Sequence, residues 1–348
     1  MFSKRATDVG REGLSMPENP ISPTVDFTAN GVQHGFLKLP YSHDTSAWGN
    51  IMIPITVAKN GEGPTVLFTG GNHGDEYEGP VALFDLAGRI DASTLSGRVI
   101  IVPAMNYPAF RAGTRTSPID KGNMNRVFPG NPRGSVTEKI ADYFQRTLLP
   151  LADYVVDIHS GGKTLDFVPF CAAHILENKS QQARCVAAMQ AFNAPYSIML
   201  LEVDATGMYD TAAEEMGKVF ISTELGGGGT ARVNNVNTAK VGVENILVHA
   251  GVMKGELNPG NSINLYMPDD RCFVNALGGG LVELCIELGD SVKVGQVIAR
   301  IHDVERTGGE PEEYLSLLDG VLVACHFPGL ITTGDMLAVI AVRGDRND

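Results

Sequence analysis

Between residues 50 and 250 short apolar runs alternate with stretches of helical spacing, and this alternation narrows the fold more than any other feature. Thr65–Gly70 (TVLFTG), Arg98–Ala104 (RVIIVPA), Tyr154–Ile158 (YVVDI) and Lys218–Thr223 (KVFIST) are too short for helices and largely apolar, as strands buried on both faces are. Between them, Pro80–Arg89, Val136–Leu148, Gln182–Phe192 and Thr238–His249 space their apolar residues as helices do. Strand and helix in turn predict an α/β domain, a sheet covered on both faces by helices.

After about residue 255 the helical patterns stop, and short strands separated by Gly, Asp and Pro take over. Two segments there echo each other, GGGLVELCIELGDSVKVGQVIARI (278–301) and DGVLVACHFPGLITTGDMLAVIAV (319–342). The pair resembles the pseudo-symmetric β-barrel of lipoyl and biotinyl carrier domains, which need a lysine on the turn between the halves. No lysine follows Lys293, so the carrier role fails and the segment is expected to be a scaffold, lid or oligomer contact. The expected organisation is a disordered N-terminal tail over 1–20, an α/β domain over 21–254 and an all-β, barrel-sandwich-like domain over 255–348. The tail is polar and lacks the apolar centre of a secretory signal, and Met16 is an alternative start.

Composition closes off several function classes. Lys and Arg number 27 against 40 Asp and Glu, a formal charge of −13, which disfavours a nucleic-acid partner. No unbroken apolar stretch approaches the roughly 18–20 residues of a membrane span. The five cysteines form no C-x-x-C pair, which argues against a thiolate zinc site or disulfide framework and fits a reducing cytoplasm.

The strongest local signal is Gly70-Gly71-Asn72-His73-Gly74-Asp75-Glu76, on the loop leaving a buried strand. An imidazole and a carboxylate three residues apart can reach one zinc ion across a tight glycine loop. H-x-x-E alone is also common on solvated helices. His159 adds support, since it too ends an apolar run and precedes glycines, in VVDIHSGG. Open α/β sheets gather ligands at the carboxyl ends of their strands. Two histidines and one glutamate with a fourth position open describe a hydrolytic zinc site. A third strand end delivers Glu224, followed by Leu225 and the four glycines 226–229, as a base for a zinc-activated water. In GTRTSPIDKGNMNRVFPG, Asn125 and Arg126 set an amide beside a guanidinium fork, which suits a substrate carboxylate. Arg115 is the candidate to hold a developing oxyanion, with Arg111 as its competitor.

In order, H-x-x-E, N-R, a strand-end His and a later strand-end Glu resemble the zinc carboxypeptidase superfamily, and within it the succinylglutamate desuccinylase/aspartoacylase family. The resemblance covers essentially residues 50–348. It implies an α/β zinc domain built on a mixed sheet flanked by helices, with a C-terminal β domain, one Zn2+ per subunit held by His73, Glu76 and His159, and Glu224 as general acid/base. It further implies that Asn125 and Arg126 grip an α-carboxylate and Arg115 the acyl oxygen. The stretch between Arg115 and Asn125 is longer than is usual in the family.

The implied activity is hydrolysis of a small N-acyl amino acid in the cytoplasm. A homodimer is allowed, and neither nucleic acid nor membrane is expected as a partner. Longer stretches, among them TGGNHGDEYEGP and MYDTAAEEMGKVFISTELGGGG, are similar to members that deacetylate an Nα-acetylated diamino acid. Such a substrate needs an acidic partner for its side-chain ammonium. Asp166, Glu202, Asp204 and Asp210 all qualify. Rival readings are a deacylase for another N-acyl amino acid, a metallocarboxypeptidase for short peptides, and a non-catalytic binding protein that has lost its metal.

Overall fold

The computed structural model describes residues 17–201, 204–258 and 260–344. Along its central strands, alternation of side chains decides the layering. In Thr65–Gly70, Val66 and Phe68 pack into one core cluster and Leu67 into another on the opposite face, as the two-residue period of a strand requires. Val99 and Ile101 against Ile100 and Val102 repeat this in Gly97–Val102. Helices Glu78–Arg89, Lys179–Phe192 and Val233–His249 cover the first face. The second face is covered by Val136–Tyr143 with its π-helical continuation Phe144–Leu148, and by Tyr209–Glu215.

Four strands run parallel at the centre, in the order Gly97–Val102, Thr65–Gly70, Tyr154–His159, Val219–Glu224. Asn50–Asn60 and then Gly31–Pro40 extend one side as antiparallel neighbours. On the other side Phe170–His174 is antiparallel to Val219–Glu224, and Tyr196–Leu200 and Ile263–Tyr266 follow in parallel. The expected mixed α/β sheet is therefore present. Two helices begin earlier than the apolar spacing indicates, at Lys179 rather than Gln182 and at Val233 rather than Thr238. At the first of them the Asn178 side chain caps the helix by accepting the Gln181 N–H, so a polar turn precedes the apolar stripe.

Beyond His249 no α-helix occurs among the described residues. Gly280–Leu284, Val297–His302, Glu312–Leu315 and Leu330–Ile331 form an antiparallel four-stranded sheet. Gly320–His326 and Met336–Arg343 pair with each other, and Met336–Arg343 also pairs with Ile263–Tyr266, so the large sheet runs on into the C-terminal strands. Leu165–Phe167, on the loop after His159, pairs with Gly320–His326. A third core cluster joins Phe170 and Ile198 to Leu265, Val323, Leu337 and Val339. Hydrogen bonds and core contacts therefore cross the expected boundary between 254 and 255.

Of the N-terminal tail expected over 1–20, residues up to Met16 lie outside the described residues. From Pro17 onward the chain is anchored. The Arg146 guanidinium donates twice to the Pro17 carbonyl, each at 3.1 Å, and the Asn19 amide donates to Asp142 at 2.7 Å. Among the described residues no helix is long and apolar enough to cross a membrane.

Candidate active site

The loop after Thr65–Gly70 is pressed against the helix Tyr107–Ala112. A Cβ on Gly74 would lie 2.0 Å from the Ala109 carbonyl carbon, so only glycine fits at position 74. The Gly74 N–H donates to the Thr114 carbonyl at 3.0 Å, which fixes the loop. His159 ends the neighbouring strand, and parallel register sets Glu224 directly opposite it. Three strand ends therefore bring His73, Glu76, His159 and Glu224 to one edge.

His73, Glu76 and His159 are buried and each offers a donor atom within 4.8 Å of the others. The Glu76 carboxylate spans the two rings, with Oε1 2.7 Å from His73 Nδ1 and Oε2 2.9 Å from His159 Nδ1. The Ser160 N–H donates to the same Oε2 at 3.2 Å. On their outer sides, His159 Nε2 lies 2.7 Å from Asp157 Oδ2 and His73 Nε2 lies 3.2 Å from Asn123 Oδ1. Each outer nitrogen that donates its proton to such a partner leaves Nδ1 with a lone pair facing the centre. Asp157 is itself held by the Thr69 hydroxyl at 2.6 Å and the Asn72 amide at 2.9 Å. Two imidazoles and a carboxylate, oriented by outer hydrogen bonds, fit one zinc ion with an open position.

The electrostatics agree with that fit. Burial works against a charge on Glu76, but His73 and His159 outweigh it and hold the carboxyl well below its ordinary range. Burial also pulls His73 down, which favours the neutral ring a metal needs. On His159 burial acts the same way, yet Asp157 and Glu76 overcome it and lift the ring well above its ordinary value. Glu224 has a buried Oε2 without a hydrogen-bond partner, and burial, reinforced by the Glu76 charge, raises its pKa to about 8.

All seven residues singled out from the sequence line one cavity of about 510 Å³. The Arg115 guanidinium stands 3.6 Å from Glu76 and 3.3 Å from His73 Nδ1. Arg111 instead donates to the Tyr107 hydroxyl at 3.3 Å and is not part of the cavity wall. Asn125 accepts the Tyr209 N–H on its side-chain oxygen at 2.9 Å, leaving its amide nitrogen available to a ligand. The C-terminal strands complete the wall with Val323, Met336 and Val339. The glycines after Glu224 serve backbone packing. The Gly226 carbonyl accepts the N–H groups of Gly161 and Phe167, and a Cβ on Gly226, at φ +81°, would collide with Asn235.

Asp157 and Asn123 escape a reading of the motifs. Asp157 carried a signal, because two residues before His159 on a strand means the same face. Exchanging Asp157 for Asn should weaken zinc binding roughly 10- to 100-fold while the circular-dichroism spectrum stays native. Chelator competition measures this, and unchanged affinity would remove Asp157 from the metal's support.

A family model of the succinylglutamate desuccinylase/aspartoacylase catalytic domain matches residues 62–250, more than half of the chain. The chain belongs to this family. It is 56% identical over 325 residues to the N-alpha-acetyl-L-2,4-diaminobutyric acid deacetylase of Halomonas elongata, covering 93% of this chain and 95% of that protein. The product-bound structure of the ectoine utilization protein EutE (DoeB) from Ruegeria pomeroyi superposes with a TM-score of 0.93 at 62% identity, covering 94% and 99% of the two chains. A succinylglutamate desuccinylase from Silicibacter sp. TM1040 gives a TM-score of 0.92 at 60% identity, covering 94% of this chain and all of that one. The fold and its C-terminal β region are therefore those of the family.

Proposed function

We propose that the protein is a zinc-dependent amidohydrolase that converts Nα-acetyl-L-2,4-diaminobutyrate to acetate and L-2,4-diaminobutyrate in the breakdown of ectoine. The observation that carries this reading is the meeting of His73, Glu76 and His159 with Glu224 and the Asn125–Arg126 pair in one cavity. The name of the Halomonas relative supports the substrate.

A zinc ion held by His73, Glu76 and His159 would supply Lewis acidity to a water molecule and to the acyl oxygen. The chain's own groups do the rest. The Asn125 amide and the Arg126 guanidinium hold the α-carboxylate and so orient the amide bond. Arg115, beside Glu76, takes up charge that grows on the acyl oxygen. Glu224 accepts a proton from the attacking water and delivers it to the amine nitrogen as the C–N bond breaks. Burial raises this carboxyl in the metal-free site, and a carboxyl tuned toward the working pH serves both transfers.

The test is acetate release by zinc-loaded enzyme from the Nα-acetyl substrate, its Nγ isomer and N-acetylaspartate. We expect the Nα isomer to be preferred at least about 100-fold over either, a gap available when a site pairs the polar groups of one substrate only. Hydrolysis of N-acetylaspartate alone would keep the chemistry and overturn the substrate. Cleavage of short peptides in place of all three would establish a peptidase.

A further inference from the structure

The proposed substrate carries a free ammonium on its side chain, and the structure sorts the four carboxylates that could receive it. Glu202 lies outside the described residues. Asp166 is already paired, accepting from the Arg232 guanidinium at 3.2 and 2.7 Å, and does not line the cavity. Asp204 lines the cavity but is exposed, and its Oδ1 accepts the Thr206 N–H at 3.0 Å.

Asp210 differs from all of these. It lines the cavity and is only 6% exposed. One oxygen, Oδ1, accepts the N–H and hydroxyl of Thr211. Among the described residues no hydrogen bond reaches Oδ2, and no cation lies within ion-pair distance of the carboxylate. A buried carboxylate without a counter-charge is costly, and a ligand cation relieves that cost. Its place in the wall matters as well. Asp210 follows Tyr209, whose N–H fixes the side chain of Asn125, so the carboxylate and the α-carboxylate clamp share one corner of the cavity.

We propose that Asp210 is the ammonium subsite, by which the cavity selects Nα-acylated diamino acids over neutral and acidic N-acyl amino acids. The assignment rests on the proposed activity. In the bound substrate the α-carboxylate sits at Asn125 and Arg126 while the γ-ammonium closes on Oδ2 of Asp210. An N-acyl aspartate in the same pose would set carboxylate against carboxylate and be excluded.

The experiment compares kcat/KM for Nα-acetyl-L-2,4-diaminobutyrate and N-acetyl-L-norvaline, whose side chain ends in a methyl group instead of the ammonium. Wild type should prefer the charged substrate by about 100-fold or more, as expected for a site whose buried polar group is otherwise left unpaired. Asp210→Asn keeps an oxygen for the Thr211 N–H, and it should lower kcat/KM for the charged substrate about 100-fold and bring the ratio toward unity. A preference that survives the substitution overturns the assignment. A second measurement needs no variant, because L-2,4-diaminobutyrate should inhibit wild type far more strongly than L-norvaline. Equal inhibition would likewise overturn the assignment. Hydrolysis of neither substrate by zinc-loaded wild type would remove the activity and this subsite together, whereas equal hydrolysis of both would remove the subsite alone.

Discussion

Exchanging Glu224 for Gln should lower turnover about 1,000-fold and leave one zinc per chain in place, the loss typical of a positioned general base. Glu224 sits opposite His159 in register but outside the His73, Glu76 and His159 cluster, so its removal spares the metal donors. Turnover of the purified variant and its metal content are the two readings, and near-normal turnover would remove Glu224 from the mechanism. The same variant makes a second, opposite-signed prediction in metal-free protein. Burial and Glu76 raise the Glu224 carboxyl from 4.5 to about 8. A group whose pKa rises on folding contributes stability below its unfolded pKa and loses it as pH climbs toward the folded value. Metal-free wild type should therefore lose stability between about pH 5 and pH 8. Metal-free Glu224→Gln should melt higher than wild type at pH 8, with the gap closing at pH 5.

Removal of the metal should be a second severe lesion. Zinc-stripped protein is expected to retain below about 1% of its activity, because Lewis-acid activation of water and carbonyl is worth several kcal/mol. Adding zinc back should restore it. Loading should also raise the melting temperature, since a ligand at about 1,000 times its Kd stabilises the folded state by about 4 kcal/mol. Because Asp157 and Glu76 lift His159 well above its ordinary value in the metal-free site, zinc uptake should be coupled to proton release. Calorimetry in buffers of different ionisation enthalpy measures that release. Full activity after exhaustive chelation would defeat the zinc assignment.

The polar centre was legible because its members share a local signature. His73, His159 and Glu224 each follow a buried apolar run and precede glycine, and a parallel sheet turns that repeated local pattern into spatial convergence. Asp157 was equally local but needed the strand's two-residue period to be applied to side-chain partners as well as to burial. Other features depend on pairings distant in sequence. Nothing around Met336 or Val339 says that they wall the catalytic cavity, because this follows from Met336–Arg343 joining Ile263–Tyr266 at the sheet's edge. Choosing Asp210 from four acidic residues likewise required its burial and the position of Arg232, which chain order does not encode. The early helix start at Lys179 reflects a cap made by a polar residue, invisible to a search for apolar spacing.

The joined sheet also has a consequence for the order of synthesis. His73, His159 and Glu224 leave the ribosome early and belong to elements that can assemble as a unit, in keeping with N-terminal folding during translation. Met336–Arg343 is made long after them, and it inserts between Ile263–Tyr266 and Gly320–His326. Until it does, the nascent chain holds its chemical groups against an open apolar face that includes Phe170 and Ile198. A chain halted before residue 336 therefore lacks the Met336 and Val339 wall of the cavity and the strand that shares a core with Phe170 and Ile198.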